Sequence, residues 1–251
     1  MELVNVGLTI AGAAVLRGAS VAVRRGEIMG LCAEEEAVKS AALQVASGAY
    51  AAHEYSGEVR VDGVATQLCD PRAARDLGIV AVHRESLCAP ELTVAEHLLL
   101  GREPTRFGLI DGARLELAAR ALLADFACAS AIDARASLSD LSLAQRRLVE
   151  IMRCLARAPK ILLLDEPSAG LGPRENSVLA RWLGAARARG VTTLYASRHC
   201  DELFERCDRI TVLRQGRTAA RFETRECEPE NIVHALLGRE LSDAARAPEA
   251  I

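Results

Sequence analysis

The segment KILLLD at residues 160–165 constrains the fold more than any other feature of the sequence. Its apolar residues are consecutive, not alternating, which is typical of a strand buried on both faces of a sheet. Such strands occur in parallel sheets covered by helices, so the segment predicts an α/β fold. Strand-like and helix-like patterns alternate along most of the remaining chain. The strand-like segments are Ala19–Val23, Glu27–Cys32, Gly57–Gly63, Gly78–Val82, Val191–Ser197 and Arg209–Leu213, and the helix-like ones are Lys39–Ala46 and Pro173–Arg189.

The middle of the chain has a helical periodicity instead. Apolar residues recur there at helical spacing, which predicts one buried face of a helix. That face comprises Leu115, Ala118, Ala119, Leu122, Leu123 and Phe126, and a second helix after Ser142 has Leu148, Ile151, Met152 and Leu155 on one face. The sequence therefore predicts one domain over residues 1–241, with a helical subdomain at about 90–157. Residues 242–251, rich in alanine and charge, are expected to form a flexible tail.

Composition excludes several classes of protein. With 31 basic and 34 acidic residues, the formal net charge of −3 is not that of a general nucleic-acid binder. Aromatic residues, at 3% of the chain, are too few for base-stacking platforms.

No segment reaches the ~18 consecutive apolar residues of a membrane span, and the N-terminal MELVNVGLTI lacks the basic region of a secretion signal. None of the 8 cysteines forms a CxxC pair, which indicates reduced thiols in a cytoplasmic protein.

Two carboxylates, Asp165 and Glu166, follow the buried strand directly. Ligands of open α/β sheets bind at the carboxyl ends of strands. An aspartate at this place can hold Mg²⁺, and an adjacent glutamate can orient or deprotonate a water molecule. The residues alone leave open whether these side chains serve such a site or simply form a solvated strand end.

A second candidate lies upstream, where a strand-like segment runs into a helix beginning near Lys39-Ser40. A phosphate-binding loop would read G-x-x-x-x-G-K-[ST], and the two required glycines fall on Ala33 and Val38. Only the final Lys-Ser pair matches. The segment therefore does not match the phosphate-binding loop motif. Its Lys-Ser pair could equally belong to an ordinary helix start.

A third candidate is the start of the helix after Ser142. Ser142 and Gln145 have the spacing of a capping box, which fixes the helix start. The N-terminus of a helix can also bind an anion through its free N–H groups. The residues alone leave open a functional anion site and an ordinary cap.

Taken together, these segments resemble the ATP-binding subunit of an ABC transporter. A phosphate loop without its glycines is followed by a helical insertion, by LSLAQ at Leu141–Gln145, by ILLLDEP at Ile161–Pro167 and by YASRH at Tyr195–His199. The resemblance covers about residues 4–241. It implies a P-loop NTPase-type nucleotide-binding domain with a mainly parallel sheet, an antiparallel β part and a helical subdomain.

Three further segments narrow the resemblance. GREPTRFGLIDG at Gly101–Gly112, LSLAQRRLVEI from Leu141 and GREL at Gly238–Leu241 are similar to the first of two cassettes in carbohydrate importers of the ribose, xylose and galactose type. In that family the ATP site forms between two cassettes. The phosphate loop of one cassette faces the signature helix of the other.

The resemblance also implies roles for individual residues. The phosphate loop would comprise Ala33, Glu34, Glu35, Glu36, Ala37, Val38, Lys39, Ser40 and Ala41, and the signature motif Ser142, Leu143, Ala144 and Gln145. Lys39 would contact the β- and γ-phosphates, Ser40 and Asp165 would hold Mg²⁺, and Glu166 would activate the attacking water. Ser142 would meet the nucleotide bound by the partner cassette.

The phosphate loop departs from the family pattern GENGAGKST. Ala33, Glu36 and Val38 replace three glycines, which serve there because the backbone must approach phosphate closely and visit positive φ. Glu34 matches the family, so Glu35 and Glu36 bring the new negative charge. A carboxylate ~4 Å from a phosphate charge costs about 4 kcal/mol, which corresponds to roughly a thousandfold in a dissociation constant.

Three other expected contacts with the nucleotide are altered as well. Arg84 stands where a glutamine would contact the metal and sense the γ-phosphate, and Ile10 where an aromatic ring would stack on adenine. Arg198 occupies the place of the switch histidine, and His199 follows it. The sequence leaves open whether His199 serves as the switch or is an exposed loop residue.

The resemblance implies a subunit of a carbohydrate-type importer that couples ATP binding and hydrolysis to transport. Its cofactors would be ATP and Mg²⁺, with weak or absent binding at its own altered site. Its partners would be transmembrane permease subunits, a second cassette in a homo- or heterodimer and, indirectly, a periplasmic sugar-binding protein, but no nucleic acid. The expected location is the cytoplasmic face of the membrane. The alternative is a non-hydrolysing assembly or regulatory cassette that lends its signature helix to a competent partner.

Overall fold

The computed structural model describes residues 1–85, 88–128 and 132–238. The predicted tail at 242–251, residues 239–241 of the GREL segment and residues 129–131 of the predicted helical subdomain lie outside the described residues.

The strands are β1 (Glu2–Ile10), β2 (Ala13–Ala22), β3 (Ile28–Ala33), β4 (Tyr55–Val61), β5 (Val64–Ala65), β6 (Ile79–Val82), β7 (Thr105–Arg106), β8 (Leu109–Ile110), β9 (Ile161–Asp165), β10 (Thr192–Ala196), β11 (Arg209–Arg214) and β12 (Arg217–Glu223). The helices are α1 (Glu36–Ala46), α2 (Pro71–Asp76), α3 (Val94–Leu99), α4 (Gly112–Asp125), α5 (Leu143–Leu155), α6 (Pro173–Ala188), α7 (Cys200–Arg206) and α8 (Pro229–Leu237). Two short 3₁₀ helices span Leu138–Asp140 and Thr224–Glu226. None of the helices within the described residues has both the length and the apolar character that a membrane span requires.

The chain divides into two compact units. The first comprises residues 1–84, 159–167 and the described part of 186–251. Its larger sheet has 6 strands in the order β12-β11-β3-β10-β9-β6, of which all but the antiparallel β12 run parallel. Its smaller, antiparallel sheet has the order β2-β1-β4-β5. The mainly parallel sheet and the antiparallel part confirm the predicted fold class.

The central strand β9 shows why its sequence was informative. Leu162, Leu163 and Leu164 are each 0% exposed, which is the burial expected of a strand covered on both faces of the sheet. Helix α1 adds Leu43 and Val45 to the same hydrophobic core. Burying each such side chain contributes about 1.5–3 kcal/mol, so the parallel sheet is the stable base on which the loops at its carboxyl end are held.

The sequence did not reveal β1. Its buried residues Leu3, Val6 and Leu8 are spaced by three and then by two positions, so strict alternation is broken. The structure explains the break by a bulge, since Asn5 has φ 50° and the register with β2 shifts between Leu3 and Val6. Strand β2 begins at Ala13, well before the predicted Ala19.

The second unit comprises the described parts of 85–158 and residues 168–185. Helix α4 buries Leu115, Ala119 and Leu123, and α5 buries Leu148, Ile151 and Met152. Both sets lie on the faces that the periodicity predicted, which is therefore confirmed for these helices. The hairpin of β7 and β8 was not predicted. It turns at Phe107 and Gly108, which both have positive φ.

His97 on α3 is a buried histidine of this unit. Its side chain is 1% exposed, and its Nε2 lies 3.6 Å from the Cys88 Sγ. Burial, assisted by the charge of Arg153 and opposed by that of Glu150, lowers the pKa of His97 from 6.5 to about 4. The folded chain thus keeps His97 neutral at a pH at which the unfolded chain protonates it.

We expect the free energy of unfolding of this unit to fall by about 2 kcal/mol through His97 as pH drops from 7 to 4.5. Because the folded pKa is depressed, this stability is present above pH 6.5 and is lost toward pH 4. The measurement is urea unfolding followed through the fluorescence of Trp182, the single tryptophan. His97→Gln should flatten the pH dependence, whereas His53→Gln, at an exposed histidine of the first unit, should leave it unchanged. Identical pH profiles for the chain and His97→Gln would contradict the assignment.

Candidate functional site

The carboxyl end of β9 carries the two carboxylates that the sequence singled out. Asp165 and Glu166 are 3% and 4% exposed, which excludes the alternative of a solvated strand end. The Ser40 Oγ donates a hydrogen bond to the Asp165 Oδ2 over 2.6 Å. The two side chains that the resemblance assigns to Mg²⁺ are therefore adjacent, and both offer the oxygen ligands that Mg²⁺ prefers.

Lys39 and Glu166 form a buried ion pair beside them. The Lys39 Nζ lies 2.5 Å from the Glu166 Oε1, with the two side chains 1% and 5% exposed. The same carboxylate oxygen accepts a hydrogen bond from the backbone N–H of Arg198 over 2.8 Å. Glu166 has φ 47°, a conformation that non-glycine residues rarely adopt and that costs of order 1–3 kcal/mol. The surrounding contacts thus fix this glutamate in place and hold the lysine against it.

Removing one partner of this pair is expected to destabilise the chain strongly. Lys39→Met should lower the free energy of unfolding by about 3 kcal/mol, since it removes the cation that pairs with the buried Glu166 carboxylate. Adding Glu166→Gln should recover most of that loss.

The exposed pair Arg60–Glu58, at 2.8 Å with side chains 40% and 50% exposed, provides the matched control. Arg60→Met should cost less than about 1 kcal/mol. Denaturant unfolding of Lys39→Met, Glu166→Gln, the double variant and Arg60→Met measures these effects. Additive losses in the double variant would contradict a coupled buried pair.

The connection between β3 and α1 differs from the predicted loop. Strand β3 ends at Ala33 and α1 begins at Glu36, so Glu34 and Glu35 alone join them. None of residues 33–38, all of which the structure describes, has a positive φ. The prediction that the helix begins near Lys39 is wrong by about one turn, because Glu36, Ala37 and Val38 have side chains that favour helix where glycines would resist it.

Glu36 brings together three of the altered positions. Its Oε2 accepts a hydrogen bond from the Arg84 Nη1, and its Oε1 lies 3.5 Å from the Arg198 Nη1. Sequence reasoning treated the three replacements as separate changes. The available signal was their charge, since one acidic and two basic side chains stand where glycine, glutamine and histidine were expected. We call Glu36, Arg84 and Arg198 the charge triad.

Two other predicted positions lie apart from these contacts. Ile10, at the end of β1, is half-buried and packs against the core of the first unit. His199 is exposed, and its backbone N–H donates to the Ser197 Oγ over 3.1 Å. Ile10 is the last residue of β1, and His199 is the residue directly before α7.

The signature segment lies in the second unit, at the start of α5. The backbone N–H of Gln145 donates to the Ser142 Oγ over 3.2 Å, and that of Ser142 donates to the Gln145 Oε1 over 3.0 Å. This reciprocal pair confirms the predicted capping box. Leu143 is 75% exposed, and Ala144 is half-buried. An exposed helix start of this kind presents free N–H groups and the positive end of the helix dipole.

The sequence profile of the ABC transporter family matches residues 16–169 of this chain. The chain belongs to the ABC transporter family. Among its curated relatives, the ribose import ATP-binding protein RbsA of Chromobacterium violaceum is 38% identical over 229 residues, 91% of this chain and 45% of that protein. The arabinose import ATP-binding protein AraG 1 of Burkholderia lata is 38% identical over 249 residues, 98% of this chain and 49% of that protein. The chain thus spans about half the length of the curated relatives it matches.

Solved structures show the same fold. A nucleotide-free ATP-binding cassette from an ABC transporter superposes with a TM-score of 0.76 at 24% identity, covering 95% of this chain and 96% of that one. A dimeric ATP-binding cassette bound to ADP and phosphate in a post-hydrolysis state has a TM-score of 0.75 at 21% identity, covering 89% and 98%. ABC-family cassettes bind ATP, usually with Mg²⁺.

Proposed function

We propose that this chain is the ATP-binding-cassette subunit of a carbohydrate-type ABC importer and that its own ATP site is impaired. The observation that supports the importer role is its 38% identity, over 91% of its length, to a ribose import ATP-binding protein. The arabinose import proteins among its relatives point to the same class of cargo. The chain would act at the cytoplasmic face of the membrane, on permease subunits that receive sugar from a periplasmic binding protein.

The charge triad is the observation that carries the second half of the proposal. A phosphate entering this loop would meet the Glu36 carboxylate, and it would have to displace that carboxylate from Arg84 and Arg198. Each contact of the triad is partly exposed, with side chains 37–63% exposed, and contributes no more than about 1 kcal/mol to stability. The repulsion between a carboxylate and phosphate, about 4 kcal/mol at 4 Å, is the larger effect.

Backbone geometry supports the same conclusion. A phosphate is normally cradled by N–H groups of a wide loop with positive-φ residues. Here the first turn of α1 occupies the positions of that loop, and the Val38 N–H points to the Glu35 carbonyl oxygen at 3.2 Å. The residues of the loop therefore fit a polyphosphate poorly, although Ser40 and Asp165 remain suited to a metal ion.

The second candidate function is that of a signature donor in a heterodimer. The capping box of Ser142 and Gln145 supports it, because the start of α5 keeps its geometry while the phosphate loop does not. In such a dimer this chain would complete the ATP site of a competent partner cassette. The retained Asp165 and Glu166 count against it, since a pure donor has no need of either carboxylate.

Sugar uptake in cells that lack the chain tests the proposal. Uptake of labelled ribose or arabinose should fall in those cells and return when the chain is supplied again. A Lys39→Met/Glu166→Gln copy, in which both members of the buried pair are neutral, should restore uptake if the chain is a donor, and should fail if its own site hydrolyses ATP. Undiminished uptake of both pentoses and of hexoses in the deleted strain would contradict the importer role.

A further inference from the structure

Two cysteines from distant parts of the sequence meet beside the altered phosphate loop. Cys32 lies on β3 and is 0% exposed. Cys200 begins α7 and is partly exposed. Their Sγ atoms are 3.8 Å apart, and both thiols are free. A disulfide needs an S–S distance of about 2.05 Å, so a movement of roughly 2 Å, within reach of a side-chain rotation, would join them.

The surroundings of the two thiols differ in a way that suits stepwise oxidation. The hydrogen bond with Cys32, helped by the charge of Lys39 and opposed by burial and by the charge of Asp201, lowers the pKa of Cys200 to about 7. The same hydrogen bond, together with burial, raises the pKa of Cys32. Reactive cysteines are those that are both accessible and easily ionised. Cys200 meets both conditions, whereas Cys32 is fully buried next to it.

We propose that Cys32 and Cys200 form an oxidisable dithiol, a modification site at which a peroxide converts the two thiols into a disulfide. The partly exposed Cys200 thiolate attacks one peroxide oxygen, and the O–O bond breaks to give a sulfenic acid and hydroxide. The Cys32 sulfur then attacks the Cys200 sulfur, the S–OH bond breaks, and the Cys32 proton leaves with the hydroxyl as water. With hydrogen peroxide the net change is two thiols and one peroxide to one disulfide and two waters.

The position of the pair connects this modification to the candidate site. Cys32 directly precedes Ala33, the last residue of β3 before the altered loop. Cys200 follows Arg198, whose side chain contacts Glu36 and whose backbone N–H binds Glu166. A bond between the two sulfurs would tie the segment that carries Arg198 to the strand that carries the loop. Oxidation would therefore restrain both the segment that carries Arg198 and the strand that leads to Glu36.

Peptide mapping by mass spectrometry tests the proposal on the full chain. Hydrogen peroxide at a small molar excess, followed by alkylation, should yield a Cys32–Cys200 cross-linked peptide that dithiothreitol removes. Cys32→Ser should instead leave a Cys200 sulfenic acid that dimedone traps, and Cys200→Ser should give neither product. Cys69→Ser, at an exposed cysteine of the same unit, is the matched control and should leave the cross-link unchanged. Alkylation of Cys200 at pH 7 should be roughly tenfold faster than that of Cys69.

Several results would overturn the proposal. One is a Cys200 that peroxide oxidises while Cys32 stays fully alkylatable after denaturation. Another is a cross-link that joins other cysteines as often as these two. A third is a Cys200 no more reactive than Cys69. None of these measurements involves nucleotide or sugar, so their failure is distinct from a failure of the proposed function.

Discussion

Combining Ala33→Gly, Glu36→Gly and Val38→Gly is expected to tighten Mg·ATP binding by at least about a hundredfold. Glu36→Gly removes the carboxylate that would repel phosphate and frees Arg84 and Arg198. Glycine at the other two positions permits the close approach and the positive φ that a phosphate loop requires. Ser40 contacts Asp165, and Lys39 lies beside them against Glu166, so the lysine and the two expected metal ligands need no repair. Calorimetric titration of the purified variant measures the change in dissociation constant.

Ala37→Gly is the matched control for this experiment. Ala37 lies in the same turn of α1 and is exposed, and it matches the alanine of the family pattern. Its replacement adds the same backbone freedom without removing a carboxylate, and it should leave binding unchanged. If the triple variant folds, as circular dichroism would show, and still fails to bind, the loop is not the main cause of the impaired site. Recovery of hydrolysis should further require Arg84→Gln and Arg198→His.

Mixing this chain with a competent cassette of the same organism, in the presence of the permease, is expected to raise ATP turnover severalfold above that of the cassette alone. In the heterodimer proposed above, the start of α5 would present its N–H groups and dipole to the partner's nucleotide, which would favour a phosphate by roughly 0.3–1 kcal/mol per charge. Ser142→Arg should abolish the stimulation, because a long cationic side chain replaces the cap at the point of contact. Turnover in a coupled assay at fixed partner concentration measures the effect.

Two variants separate contact from folding in the mixing experiment. Ser142→Gly removes the hydroxyl but costs the helix only a few tenths of a kcal/mol, so the chain should stay folded. Ser177→Arg introduces the same side chain at an exposed serine of α6 and should leave stimulation intact. Loss of stimulation with Ser177→Arg, or no association at micromolar concentration, would contradict the donor role.

The regular parts of the fold could be predicted because burial imposes a period on the sequence. Leu162–Leu164 are consecutive since both faces of β9 are covered, and the face of α4 recurs at helical spacing. Strand β1 escaped because the bulge at Asn5 breaks its alternation. The helix-like pattern placed the start of α1 near Lys39, whereas the helix begins at Glu36.

The candidate site could be predicted residue by residue but not as an arrangement. Asp165, Glu166, Lys39 and Ser40 were found because strand ends and the Lys-Ser pair have sequence signatures. The charge triad joins residues 36, 84 and 198, and nothing in the linear order relates them. The same holds for Cys32 and Cys200, which are separated by 168 positions. Contacts of this kind depend on how parallel strands order themselves in the sheet.

Calorimetric titration of the unaltered chain with Mg·ATP tests the central claim most directly. The claim is that Glu36, held by Arg84 and Arg198, keeps phosphate out of the chain's own phosphate loop. It predicts a dissociation constant of about 1 mM or weaker, equivalent to no more than about 4 kcal/mol of binding free energy. Binding at low micromolar concentration, with Glu36 and both arginines in place, would contradict it.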